Sequence, residues 1–456
     1  MYFRPLLFVL VSSVLVLTSA CSSSSGSPSL AQQVLPVTGA RANSGSAGLY
    51  IKHVVVIIQE NRSFENFFAG YPGANAPMYG YGINGQGHRV KIPLQAITME
   101  YPYNLPHSWV AGIKMMDGGK MDGFLKYGPS GKRAAYSYIQ HGEIAPYYQM
   151  AKQYVLADAM FPTENGPSWT AHINLVAGTD NISPTKAEVD FPSASPDDCD
   201  SKAGTTSSFV DTYGIVHWRT GPFPCFTQFK TMADTLDAAN VSWKYYVTKL
   251  MNAGIWAPFE AIYDVRYGPD WTKDMGVPVQ SILTDIKSGN LSSVSWVTST
   301  KIDSDHPGMA GDRGPSWVGT IVNDIGESQY WNDTAIVVVW DDWGGWYDNV
   351  APPQLDFRGL GIRIPCLIVS PYAKQGYVSH TQYEFGSILK FIEQVYSLPP
   401  LGSTSDGYTD VRANSIIDSF DFQSPPRAFT PIPTKYHIKD FLNEPKSWAD
   451  EPIDEE

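Results

Sequence analysis

Glu60, Asn61, Asp341, Asp342 and Ser168 are the side chains of this sequence best able to act together on a charged substrate. Glu60-Asn61 ends the apolar run Ile51-Lys-His-Val-Val-Val-Ile-Ile-Gln59, and Asp341-Asp342 ends Thr334-Ala-Ile-Val-Val-Val-Trp340. Three carboxylates and an amide at two strand ends offer hard oxygen donors, the set that holds a divalent cation. Adjacent acids after so apolar a strand repel one another unless a cation offsets them. Glu60 and Asn61 also have structural readings, as a helix cap and a turn residue. Oxygen ligands suit Mg²⁺, Ca²⁺ or Mn²⁺ and do not exclude Zn²⁺, so the donor set leaves the metal's identity open.

Ser168 follows Gly166-Pro167 and precedes an apolar run, which places it at a helix start. Backbone N–H groups and the helix dipole attract an anion there, so a phosphate held at that point would lie against the hydroxyl. Taken alone, a serine in this position is a cap. His172 comes one turn later on the same face, in reach of a phosphate or of a neighbouring strand. The cluster Asp303-Ser304-Asp305-His306-Pro307-Gly308 follows the apolar Val294-Ser-Trp-Val-Thr298 and brings a histidine to a third strand exit. His107, in Leu105-Pro106-His107-Ser108-Trp109, is either functional or packed among aromatic rings.

These residues need a scaffold that gathers distant strand ends. Strand-like runs at 54–58, 243–247, 294–298, 335–340 and 366–370 alternate with helical patterns at 144–154, 171–176, 226–239, 317–326 and 385–395. That alternation predicts an α/β fold, a mostly parallel sheet with helices on both faces and ligands bound beyond the carboxyl ends of the strands. Length allows up to about three domains, but single α/β domains often exceed that prior. The expected organisation is a signal peptide over 1–20, a Ser/Gly-rich tether over 21–48, one catalytic domain over 49–430 and an acidic tail over 431–456. Segments 70–90 and 183–221, rich in Gly, Pro, Ser and Tyr, read as long insertions capping the site.

Arg4, the apolar stretch from Leu6 to Leu17 and Thr18-Ser19-Ala20-Cys21 form an export signal, too short for a comfortable membrane span. Cys21 after small residues has the form of a lipoprotein cleavage site, which makes an envelope lipoprotein the expected location; cleavage after Ala20 alone would give a secreted or periplasmic protein. The formal charge of −13 argues against a nucleic-acid surface and offers no basic stripe for anionic lipids. Cys199 and Cys225 lie in loop-like surroundings where an oxidising compartment permits a bridge, while Cys366 sits in a strand-like run as a small buried hydrophobe.

The chain resembles the bacterial and fungal phospholipase C and acid phosphatase phosphoesterases of the alkaline phosphatase superfamily. The resemblance spans most of the mature chain. It rests on Glu60-Asn61-Arg62-Ser63-Phe64, Gly166-Pro167-Ser168, Ser304-Asp305-His306-Pro307 and Asp341-Asp342-Trp343-Gly344-Gly345-Trp346-Tyr347-Asp348, followed by Arg363-Ile364-Pro365. It implies an alkaline-phosphatase-like α/β/α sandwich. It also implies a divalent metal ion held by Glu60, Asn61, Asp341 and Asp342, and a nucleophilic hydroxyl on Ser168 that also touches the metal. His306 and His107 would contact phosphate or protonate the leaving group, with Asn61 and His172 as further substrate contacts. The substrate would be a phosphate ester, either a small phosphomonoester or a phospholipid, hydrolysed through a phosphoserine.

The sequence departs from the family in two places. Thr170-Ala171 stands where many relatives carry Pro-Asn, although His172 matches the basic residue that follows. Gly254-Ile255-Trp256-Ala257-Pro258-Phe259 lacks the histidines that some members place ahead of their Pro-Phe segment, so a more apolar leaving-group pocket is expected. Gly80-Tyr81-Gly82-Ile83-Asn84-Gly85 follows no strand and opens no helix, which makes it a glycine-rich loop and not a dinucleotide fingerprint. No G-x-S-x-G elbow is present, which weighs against an α/β-hydrolase. A surface lipoprotein that binds a phosphorylated ligand without turnover is the competing class; Ser168 beside so many carboxylates argues against it.

Overall fold

The computed structural model describes residues 47–126, 133–308 and 311–445. The expected signal peptide, Cys21 and most of the tether lie outside the described residues. Val, Ile and Trp build the middle of a nine-stranded sheet. Its strands are β1 (His53–Gln59), β2 (Val155–Phe161), β3 (Trp243–Tyr246), β4 (Met275–Gly276), β5 (Val294–Val297), β6 (Thr334–Trp340), β7 (Ile364–Val369), β8 (Tyr377–Ser379) and β9 (Tyr383–Glu384). Their order is β4-β3-β5-β1-β6-β7-β2-β8, with β9 also pairing to β2. Every pairing is parallel except those of β7, which runs antiparallel to both β6 and β2. The sheet is therefore mostly parallel, with one reversed strand inside it.

Strands β5, β6 and β7 are buried at every residue, and β1 at every residue after His53. Continuous apolar runs with no polar alternation are what a sheet covered on both faces requires. The covering comes from helices that pair separately: α3 (Ala145–Gln153) with α5 (Gly314–Gly326), and α4 (Ser168–Ala177) with α6 (Phe385–Tyr396). Two shorter helices, α1 (Phe64–Phe68) and α2 (Trp109–Met116), follow Asn61 and His107 closely.

Helix α4 begins directly after Pro167, whose extended backbone closes off the preceding loop, and ends at Gly178 with φ 64°. A left-handed glycine at that point is a common helix stop. All ten residues of α4 are buried, so Ser168 and His172 ride on a core helix and not on an amphipathic surface one.

The insertions carry structure of their own. Segment 70–90 holds a hairpin pairing Tyr79–Ile83 with Arg89–Pro93. Segment 183–221 contributes to a separate four-stranded sheet. Ala187, Val189 and Val210 of that sheet pack on Trp109 of α2. Cys199 and Cys225 form a disulfide, and Cys366 is a buried free thiol in β7.

Two stretches differ from expectation. The helix expected over 226–239 forms only at Met232–Ala238, because Phe226 is held extended by a bridge to Ile262. The packed body also runs past residue 430, since Ile432 and Phe441 are buried, Phe441 lies against Trp317, and Glu444 pairs with Arg313. Among the described residues, no helix is long and apolar enough to cross a membrane.

Candidate active site

Parallel pairing of β1 with β6 puts Gln59 opposite Trp340. Glu60-Asn61 and Asp341-Asp342 therefore leave the sheet side by side, at its carboxyl edge. Asn61 adopts a left-handed backbone, φ 58°, a conformation that asparagine tolerates better than most residues. Its N–H donates to Asp341 Oδ1 at 2.9 Å. Gly344 closes the turn after Asp342, donating to Asp342 Oδ1 at 2.7 Å. A Cβ on Gly344 would lie 2.1 Å from the Asn61 carbonyl oxygen, so only glycine lets the two strand ends approach this closely.

The Asn61 carboxamide sits at the centre of the site. One end lies 3.1 and 3.2 Å from the Asp341 carboxylate oxygens and 3.3 Å from Ser168 Oγ; the other lies 2.9 Å from His306 Nε2 and 3.0 Å from His107 Nε2. The histidines decide which end is oxygen. His107 Nδ1 is 2.7 Å from the Leu105 carbonyl, and His306 Nδ1 is 2.8 Å from the Pro307 carbonyl. A carbonyl only accepts, so both Nδ1 atoms carry hydrogen, and a neutral ring then has its lone pair on Nε2. With both rings neutral the amide NH₂ donates to them, and with both rings protonated the amide turns its oxygen to them instead. In the neutral case Asn61 Oδ1 accepts from the Ser168 hydroxyl and faces the Asp341 carboxylate, and a cation between the amide and carboxylate oxygens would hold them together.

Ser168 Oγ lies 3.3 Å from Asn61 Oδ1 and 3.5 Å from Asp342 Oδ2, at the first residue of α4. Pro167 at the N-cap makes no side-chain hydrogen bond to the helix, and a helix start is a place where backbone N–H groups can bind an anion. From the same helix, His172 turns Nε2 toward Glu60 Oε1 at 3.1 Å and Asp341 Oδ2 at 4.0 Å. Glu60, His172 and Asp341 thus bring one ligand atom each to within 4.8 Å of one another, all buried. Burial pushes the His172 imidazole down to about 4, against the opposing pull of Asp341. The donor set fits a divalent cation.

The Phosphoesterase family profile matches residues 51–399 of the chain. The chain belongs to the Phosphoesterase family. It is 24% identical to phospholipase C A of Mycobacterium tuberculosis over 84% of this chain and 79% of that protein. It is also 24% identical to the non-hemolytic phospholipase C of Burkholderia pseudomallei, over 84% of this chain and 61% of that one. Non-specific phospholipase C5 of Arabidopsis thaliana is 22% identical over 81% and 74% of the two chains. A solved structure of an alkaline phosphatase superfamily protein from Vibrio parahaemolyticus overlaps 81% of this chain and 72% of its own at 13% identity, with a TM-score of 0.39, too loose a likeness to carry further weight. This phosphoesterase is a hydrolase of phosphoric ester bonds.

All eight residues singled out in the sequence of this phosphoesterase converge: Glu60, Asn61, His107, Ser168, His172, His306, Asp341 and Asp342. Other residues, to which the sequence pattern assigns no such role, hold them in place. Gln59 accepts from the Asp305 N–H at 2.9 Å, and Arg62 Nε donates to the Asp305 carbonyl at 2.7 Å, pinning the His306 loop to the end of β1. Asn165 donates to the Trp109 carbonyl at 2.9 Å and so ties the Ser168 loop to α2. Tyr245 Oη lies 3.3 Å from His172 Nδ1. Arg62 adjoins a motif residue, which is a usable signal; Tyr245 sits in an aromatic strand and reads as ordinary core.

Proposed function

We propose that this phosphoesterase hydrolyses a phosphate ester through a covalent intermediate on Ser168. The observation that supports it most is the Ser168 hydroxyl at the buried start of α4, within 3.5 Å of both Asn61 and Asp342. The helix start receives the phosphoryl oxygens, and the hydroxyl oxygen attacks phosphorus as the bond to the leaving alcohol breaks. A neutral ring whose Nε2 accepts from the Asn61 amide becomes a base once substrate displaces that contact. His306, with His107 as the alternative carrier, takes the serine proton and delivers it to the leaving oxygen. Water then attacks the phosphoserine, gives its proton to the same ring, and Ser168 leaves with that proton. Two inversions give net retention at phosphorus.

Glu60, Asn61, Asp341 and Asp342 would hold the divalent cation, with Ser168 beside it. A cation bound there lowers the pKa of the serine hydroxyl and neutralises charge developing on the phosphoryl oxygens.

The phospholipase C relatives favour a phospholipid as substrate, a phosphodiester cleaved to a diacylglycerol and a phosphorylated headgroup; a phosphomonoester is the second reading. Assaying the purified protein against phosphatidylcholine and p-nitrophenyl phosphate side by side separates them. Turnover of the lipid above the monoester supports the first reading, and the reverse order overturns it. The proposal extends to an exported, lipid-anchored protein modified at Cys21, which mass spectrometry of the mature N-terminus tests directly: an unacylated thiol there removes the anchor.

A further inference from the structure

We infer that His172 is itself a ligand, so that the cation site is a mixed nitrogen–oxygen site suited to a zinc-class ion and not an all-oxygen calcium or magnesium site. The inference rests on the reading that these carboxylates hold a cation, and it adds the donor that decides which one.

Tyr245 Oη donates its single hydrogen to the Trp256 carbonyl at 2.9 Å. Its contact with His172 Nδ1 at 3.3 Å therefore works in one direction only, with Nδ1–H donating to the tyrosine oxygen. The proton of a neutral ring is thereby assigned to Nδ1, and Nε2 presents a lone pair. That lone pair points at Glu60 Oε1, 3.1 Å away, and toward Asp341 Oδ2, 4.0 Å away. An imidazole lone pair facing two carboxylate oxygens in a fully buried site is repulsive unless positive charge lies between them.

The spacing suits a shared ion. Two donors each about 2.0–2.2 Å from one ion can lie no more than roughly 4.4 Å apart, and the observed 3.1 and 4.0 Å both fall inside that limit. Fixing one ring nitrogen by a hydrogen bond so that the other faces the ion is the usual second layer of a histidine ligand. The helix adds rigidity, because Ser168 and His172 lie one turn apart on α4 and move together. The competing arrangement is a proton on Nε2, making His172 an ion-pair partner of Glu60 with no metal role. Imidazole donors suit zinc and its neighbours, whereas magnesium and calcium take oxygen.

Zinc and calcium affinities of the whole purified protein, measured by competition with chromogenic chelators, test the inference in the parent, in His172→Gln and in Asp342→Asn. Gln keeps a hydrogen-bonding side chain but no imidazole. The parent is expected to prefer zinc to calcium, and His172→Gln to lose zinc affinity on the order of 10- to 100-fold while its calcium affinity changes little. X-ray absorption of the zinc-loaded parent needs no variant and is expected to show imidazole scattering. An oxygen-only shell, or a His172→Gln protein that binds zinc like the parent, overturns the nitrogen ligand. If cations still bind in that case and Asp342→Asn weakens them, the carboxylate site survives. A parent that binds no divalent cation overturns both readings together.

Discussion

The Asn61 amide nitrogen lies 3.0 Å from His107 Nε2, on a ring whose Nδ1 is bound to the Leu105 carbonyl. With that ring neutral, the contact orients the asparagine. With the nitrogen on the histidine side, the oxygen faces Asp341 and Ser168, so one side chain links the proposed proton carriers to the proposed ligand oxygens and nucleophile.

Asn61 therefore has a backbone role and a side-chain role that two substitutions separate. Asn61→Gly keeps the left-handed backbone at no steric cost, whereas Asn61→Ala adds strain of about 1–2 kcal/mol. The Gly variant is expected to melt near the parent and the Ala variant below it, while both lose turnover by about 10- to 100-fold. Melting and steady-state assays on the same preparations check this, and an active Ala variant would remove Asn61 from the site.

Removal of the proposed cation is expected to act on stability as well as on rate. Glu60, Asp341 and Asp342 would be left crowded without positive charge, and buried like charges disfavour the folded state. Chelation should lower the melting temperature together with turnover, and adding metal back should restore both. A chelated protein that melts and turns over as before would show that these acids are balanced by protons.

The buried pair Arg363 and Asp348 tests the scaffold independently of the site. Arg363 Nε is 3.0 Å from Asp348, and the same guanidinium donates to the Asp158 and Asn75 carbonyls at 2.7 and 2.9 Å. Arg363→Met strands the Asp348 charge and is expected to cost about 3–5 kcal/mol in urea unfolding. A cost below about 1 kcal/mol, the range of exposed pairs, would contradict that assignment.

Cys366 gives a pH test with a definite sign. Burial pushes its thiol up to about 12, whereas an unfolded cysteine ionises near about 8.5. The folded chain keeps a proton that the unfolded chain has lost, so this contribution to stability is full below about pH 8.5 and falls by roughly 1.4 kcal/mol per pH unit toward 12. Cys366→Ala should flatten that part of the stability curve. Alkylation of the parent thiol should proceed only as fast as the protein opens; rapid labelling of native protein would show an accessible thiol.

The candidate site was legible in the sequence because Glu60-Asn61, Asp341-Asp342 and the His306 loop each follow an unbroken apolar strand, and β1, β5 and β6 are adjacent in the sheet. Strand β2 was not legible. It follows α3 after the single residue Tyr154 and carries Asp158 in mid-run, so helix and strand merge into one apolar stretch. The reversal of β7 was hidden too, because Ile364–Val369 is as apolar as its parallel neighbours and direction leaves no mark on composition. The role of Tyr245 depends on the Trp256 carbonyl, a contact between main chain and side chain that no residue pattern encodes.

The central claim is that Ser168 carries the phosphoryl group. Rapid quenching of the parent enzyme during turnover of a phosphorus-labelled substrate, followed by peptide mapping, tests it most directly. Label is expected on the peptide containing Ser168 and on no other, with none in Ser168→Ala, whose turnover should fall by a barrier increase of about 4 kcal/mol or more. An unlabelled parent together with near-normal activity in Ser168→Ala would contradict it, and would mean that water attacks the phosphate ester directly.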